Sequence, residues 1–129
     1  MEKAQDIRER SFRYALQALK LFQLLKLQRN DASSILSKQY LRAATSVGAN
    51  LEEAYAAESK RDFLHKCRIS LKEIRECRYW LRLISESGTL STLQLTELLT
   101  ETREIVAILT TIVKKTAKGI DSENQKRQN

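Results

Sequence analysis

The sequence predicts an all-α protein, specifically an antiparallel up-down-up-down four-helix bundle. Three observations predict it. The 129-residue chain has no proline and only three glycines, so little in it interrupts a helix. Leu, Ala, Glu, Lys, Arg and Gln, all strong helix formers, dominate its composition. Apolar residues also recur at alternating steps of four and three, the spacing of helices packed lengthwise on one another. Short connections between such helices make sequence neighbours antiparallel.

The first helix is expected from about Lys3 to Gln28, with a charged opening that includes Asp6, Arg8, Glu9, Arg10 and Arg13. From Phe12 onward it is apolar on nearly every side. Phe12, Ala15, Leu16, Leu19 and Phe22 form one face, and Tyr14, Leu21, Leu24 and Leu25 point elsewhere. A helix that is apolar all round is buried on more than one side, which points to a partner chain.

Asn30 to Ser34 is rich in capping residues, so it forms the turn before a second helix running from about Ser34 to Ala57. Tyr40, Ala44, Val47, Leu51 and Ala54 make its seam, and Leu41, Gly48 and Tyr55 make a parallel row seven apart. Glycine inside a helix costs about 1 kcal/mol relative to alanine. Close approach of another backbone at Gly48 would offset that cost.

Ser59-Lys60-Arg61-Asp62 has the form of a capping box and starts the third helix. Phe63, Cys67, Ser70, Ile74, Cys77, Leu81 and Ile84 form its heptad seam, and Gly88 suits a left-handed terminating position. A second cap at Ser91 to Gln94 opens the fourth helix, with Leu95, Leu98, Thr102, Ile105, Leu109 and Ile112 inward and Leu99, Val106 and Val113 beside them. That helix is expected to reach about Lys118, with Gly119 ending the pattern. The bundle domain is therefore residues 1–119, followed by a polar, disordered tail at 120–129. Surplus apolar surface at Tyr14, Leu21, Leu24, Leu99 and Val106 predicts an oligomer.

The sequence offers little for catalysis, and a non-enzymatic protein is expected. His65 is the single histidine, and no second ligand at metal spacing accompanies it. The glycines are isolated, so no phosphate loop exists, and no cofactor or metal is expected. Cys67 and Cys77 are about 15 Å apart along one helix, too far to pair, and read as core residues of a protein in a reducing cytoplasm. Met1 to Asp6 is charged rather than apolar, and no 18-residue apolar run occurs, so neither a signal core nor a membrane span is expected.

Charge is the more informative feature. The formal net charge is +7, a balance that favours polyanions such as nucleic acid. Residues 59–88 carry eight positive and four negative side chains, and residues 1–30 carry seven against three. Arg61, Arg68, Arg75 and Arg82 recur every seven residues opposite the seam of the third helix, with His65, Lys72 and Tyr79 beside them. Guanidinium forks match phosphates, and an exposed tyrosine can stack on a base. The binding surface is therefore expected on the first and third helices, with Arg61, Arg68, Lys72, Arg75, Tyr79 and Arg82 as the candidate nucleic-acid-binding residues and RNA favoured. The competing reading is a solvated face laced with pairs such as Lys72–Glu76 and Arg82–Glu86. In that case the bundle is a protein-protein adaptor or scaffold.

The run from Gln39 to Ala54, QYLRAATSVGANLEEA, is more specific than a bundle requires. So are Asp62-Phe63-Leu64-His65-Lys66, Ser70-Leu71-Lys72-Glu73 and Tyr79-Trp80-Leu81. Together they resemble the bacterial four-helix-bundle family that includes proteins encoded within intervening sequences of 23S ribosomal RNA genes. Arg42, Ser46, Asn50 and Glu53, spaced four, four and three, carry the resemblance as one polar stripe. The chain has Ala54 where many members have glycine, and no proline before the second helix. The resemblance implies a homopentamer. More distant relatives, the accessory proteins of diversity-generating retroelements, bind RNA and a reverse transcriptase through a basic pentamer surface. The polar stripe reads either as buried hydrogen-bonding groups that set register or a subunit contact, or as a binding site, with the structural role preferred.

Overall fold

The computed structural model describes the backbone of residues 2–128 and the side chains of residues 7–128. The charged opening Met1 to Asp6 lies outside the described side chains, as does Asn129. Four helices make up the chain: α1 (Glu2–Lys26), α2 (Asp31–Tyr55), α3 (Lys60–Glu86) and α4 (Leu93–Gln128). The predicted caps start three of them. Asn30 Oδ1 accepts from Ser33 N at 2.8 Å, Ser59 Oγ from Asp62 N at 3.0 Å, and Thr92 Oγ1 from Leu95 N at 3.2 Å. α2 thus begins at Asp31, three residues before the predicted Ser34. Gly88, at φ 77°, ends α3 in the left-handed region that glycine tolerates.

Each helix packs against two neighbours: α1 on α2, α2 on α3, α3 on α4, and α4 back on α1. Partner positions run in opposite directions along α1–α2 and α2–α3. On α1 and α2, Leu25 meets Ser33 while Tyr14 meets Tyr40. On α2 and α3, Glu53 meets Lys66 while Arg42 meets Glu73. Lys60 at the start of α3 meets Glu123 near the end of α4, and Arg10 on α1 meets Glu101 and Glu104 on α4.

The α3 seam is the centre of the core. Cys67, Ser70, Ile74, Cys77, Leu81 and Ile84 are buried, and Phe63 is half-buried at the helix start. Burial pushes the Cys67 thiol up to about 11 and the Cys77 thiol to about 12, so neither is a ready nucleophile. Ser70 Oγ donates to Val47 O on α2 at 2.8 Å, which satisfies the one hydroxyl in that seam.

Two expectations are corrected. The core face of α1 is Ile7, Ser11, Tyr14, Ala18, Leu21 and Leu25, so Tyr14 and Leu21 are not surplus. The surplus is the opposite stripe: Phe12, Leu16 and Leu19 are 59%, 45% and 42% exposed. Both stripes satisfy helical spacing; the inward one carries Tyr14, whose hydroxyl is satisfied there by Tyr40 and Thr102. Secondly, Gly119 does not end α4, and residues 120–128 are not an unstructured tail. The helix continues to Gln128, Ile120 is buried, and Glu123 pairs with Lys60 at 2.9 Å. These contacts outweigh the roughly 1 kcal/mol that a helical glycine costs.

Candidate nucleic-acid interface

The candidate residues stand on α3, whose seam fixes which way they face. With Cys67, Ile74 and Leu81 locked inward, residues one position later in each heptad point to solvent. Arg61, Arg68, Lys72, Arg75, Tyr79 and Arg82 are all exposed, as predicted. Successive arginines are seven residues apart, about 10 Å along the axis.

The cations of this protein fall into two groups. One group is engaged. Arg10 Nε and Nη2 donate to the two carboxylate oxygens of Glu101 at 2.9 and 2.6 Å, and Nη2 also reaches Glu104 at 2.7 Å. Arg13 lies 3.9 Å from Glu9, and Arg8 lies 4.4 Å over the ring of Tyr55. Arg42 donates to Glu73 and Glu76. Lys66 donates to Glu53 at 2.6 Å, and that hydrogen bond raises its pKa. Among the described residues, Arg61, Arg68, Lys72, Arg75 and Arg78 have no carboxylate in ion-pair contact, and neither do Lys20, Lys26, Arg29 and Lys38 or the cations of α4. Of the two pairs expected to neutralise the α3 face, Arg82–Glu86 forms at 3.2 Å. Lys72–Glu76 does not, because Glu76 faces α2 and takes Arg42 and the Trp80 indole N–H.

α1 therefore contributes less to the basic surface than its composition suggests, since Arg8, Arg10 and Arg13 are engaged. Tyr79, 58% exposed, sits edge-on to Trp80 with ring centroids 5.1 Å apart. Trp80 is held in turn by its bond to Glu76 at 2.9 Å. The exposed phenol ring at this end of the row is thus backed by a second aromatic.

The polar stripe of α2 lies on the margin facing α3 and is not buried. Arg42 and Glu53 are exposed, while Ser46 and Asn50 are partly covered. Ser46 Oγ donates to Arg42 O at 2.9 Å, and Asn50 Nδ2 donates to Ser46 O at 2.8 Å. Only Arg42 and Glu53 reach α3, through ion pairs to Glu73, Glu76 and Lys66; Ser46 and Asn50 bond the backbone of α2 itself. No group of three metal-ligating side chains occurs among the described residues, and no described helix is long and apolar enough to cross a membrane.

One buried polar network had no sequence signal. Tyr40 on α2 donates to Tyr14 on α1 at 3.0 Å. Tyr14 bonds Thr102 on α4 at 2.7 Å, and Thr102 donates to Leu98 O at 2.6 Å. Burial raises both phenol pKa values well above the ordinary one.

The model of the 23S rRNA-intervening sequence protein family matches residues 3–111. A crystal structure of a protein of unknown function from the S23 ribosomal protein family of Bacteroides thetaiotaomicron superposes with a TM-score of 0.77 at 34% identity. The match covers 84% of this chain and 98% of that one. No curated protein matches the sequence.

Proposed function

The chain belongs to the 23S rRNA-intervening sequence protein family, and from that premise we propose that it is a non-enzymatic, oligomeric bundle that binds RNA through α3. The observation that supports this is the row Arg61, Arg68, Lys72 and Arg75. These are exposed cations without carboxylate partners, repeated along one face of one helix. Phosphates are the natural counterions for such a row, and Tyr79 offers a face for one unstacked base. A homopentamer, as the family resemblance implies, would repeat the row around a ring and add avidity. Phe12, Leu16 and Leu19 are the apolar residues available for contact between copies.

The test is salt-dependent binding of a generic single-stranded RNA. Replacing Arg68, Lys72 and Arg75 by glutamine keeps helix propensity and leaves the seam intact. The slope of log K against log salt should flatten by about two units, at roughly 0.7 per lost single-strand phosphate contact. A variant with Lys114, Lys115 and Lys118 replaced removes equal charge from α4 and should lose much less. Equal losses would reduce the effect to net charge. If the unaltered protein does not bind RNA at low salt, the adaptor reading stands in place of this one.

A further inference from the structure

Between the first turns of α3 and the end of α4 lies a groove of about 270 Å³. Arg61, His65 and Arg68 line its α3 wall, Asp121 lies on the α4 wall, and Leu64 and Ile120 also line it. The three basic side chains are spaced four and three apart, so they share one face. One residue from Arg61 and two from Asp121, the same two helices bring Lys60 and Glu123 into contact at 2.9 Å. Asp121 and the two arginines, by contrast, share the groove without any ion pair among the described residues. Opposite charges are thus held apart across a gap, although the backbone geometry lets a neighbouring pair close.

A simple anion would fit the arginines and be repelled by Asp121. A group anionic on one side and hydroxylic on the other fits both walls. We infer that this groove takes one ribose-phosphate unit of an RNA strand, with Arg61 and Arg68 on the phosphate and Asp121 accepting from the ribose 2′-hydroxyl. The inference rests on the RNA-binding reading and adds to it a residue that tells RNA from DNA. Carboxylates recognise ribose hydroxyls in nucleotide sites, and the 2′-hydroxyl is the group that separates the two nucleic acids. The volume is just below that of whole small-molecule sites, about 300–1,000 Å³, which suits a sugar-phosphate with its base left outside. Deoxyribose would leave Asp121 facing a phosphate with no hydroxyl in between.

The experiment compares a fluorescent single-stranded RNA with a DNA of the same sequence carrying deoxyuridine for uridine, at one salt concentration. The full-length protein should prefer RNA by about five- to tenfold, the worth of one charge-assisted hydrogen bond at a partly open site. Asp121→Ala should bring that ratio close to one, even though removing a negative charge strengthens binding of both strands. Glu123→Ala makes the same charge change two residues away, outside the groove lining, at the cost of the Lys60 pair, and should keep the ratio. The double variant Arg61→Gln/Arg68→Gln should weaken both strands. Melting curves check that each variant is folded. A ratio unchanged in Asp121→Ala, or lost equally in Glu123→Ala, overturns the inference while leaving RNA binding in place. A ratio of one in the unaltered protein does the same. Absence of binding to either strand removes the RNA reading and this inference with it.

Discussion

Tyr40 hands its hydroxyl hydrogen to the phenol oxygen of Tyr14 across 3.0 Å of fully buried space. The direction is fixed from the far end. Thr102 spends its hydrogen on Leu98 O, so it must accept from Tyr14, which in turn must accept from Tyr40. Three helices are thereby tied by one ordered chain of hydroxyls. Thr102→Val removes the terminal acceptor and leaves one phenol hydrogen orphaned in the core, at about 1–3 kcal/mol. Tyr40→Phe removes only the first donor and should cost about 1 kcal/mol. Urea unfolding of the two variants should rank them in that order. The reverse ranking would mean the chain runs the other way.

At Gly48 the α2 backbone runs close to that of α1. A methyl group placed there would sit 3.6–3.7 Å from Ser11 backbone and Cβ atoms, an ordinary contact. Gly48→Ala should therefore be tolerated, and its better helix propensity, about 1 kcal/mol, is available to raise the melting temperature. Gly48→Leu must drive further carbons into the α1 backbone and should cost about 1–3 kcal/mol through overpacking. Equal melting temperatures for the two variants would show that the helices do not meet here.

Phe12, Leu16 and Leu19 lie on the solvent side of α1, opposite the buried Ile7, Tyr14 and Leu21. In the oligomer proposed above they are buried between copies. Leu16→Glu with Leu19→Glu should yield a monomer of unchanged helicity, read by sedimentation velocity and circular dichroism at micromolar concentration. A monomeric unaltered protein under those conditions would sink the oligomer.

The fold was legible because the α3 seam admits one register: with Cys67, Ile74 and Leu81 inward, the arginine row has to face out. α1 was ambiguous for the opposite reason. Two apolar stripes share its surface, and periodicity cannot choose between them. The choice is made by the hydroxyl partner that Thr102 offers Tyr14 from 88 residues away. Gly119 misled because a local penalty was set against nothing, whereas the folded chain sets it against buried Ile120 and the Lys60–Glu123 pair. Asp121 carried no signal at all. Its place opposite Arg61 and Arg68 exists only once α4 lies along α3. The stripe from Arg42 to Glu53 was visible as a pattern, but its partners Glu73, Glu76 and Lys66 belong to another helix.

The seam between α1 and α4 is the thinnest of the four, and its polar links join residues 88, 91 and 94 positions apart. The links between α2 and α3 span only 13 to 34 positions. α4 is also the helix least suited to standing alone. Thr96, Thr100, Thr102, Thr110, Thr111 and Thr116 each turn a hydroxyl back on the preceding turn, and β-branched residues are poor helix formers. Closing a long loop onto a weak helix sets an order in time. The α2–α3 hairpin is expected to form early, and the last helix to dock late and let go first. Native-state hydrogen exchange should find α4 amides opening at lower free energy than those of α2 and α3, and equal protection throughout would contradict this order. On that order the wall that carries Asp121 is the last part of the molecule to be built, and anything gripping both walls at once would act as its latch.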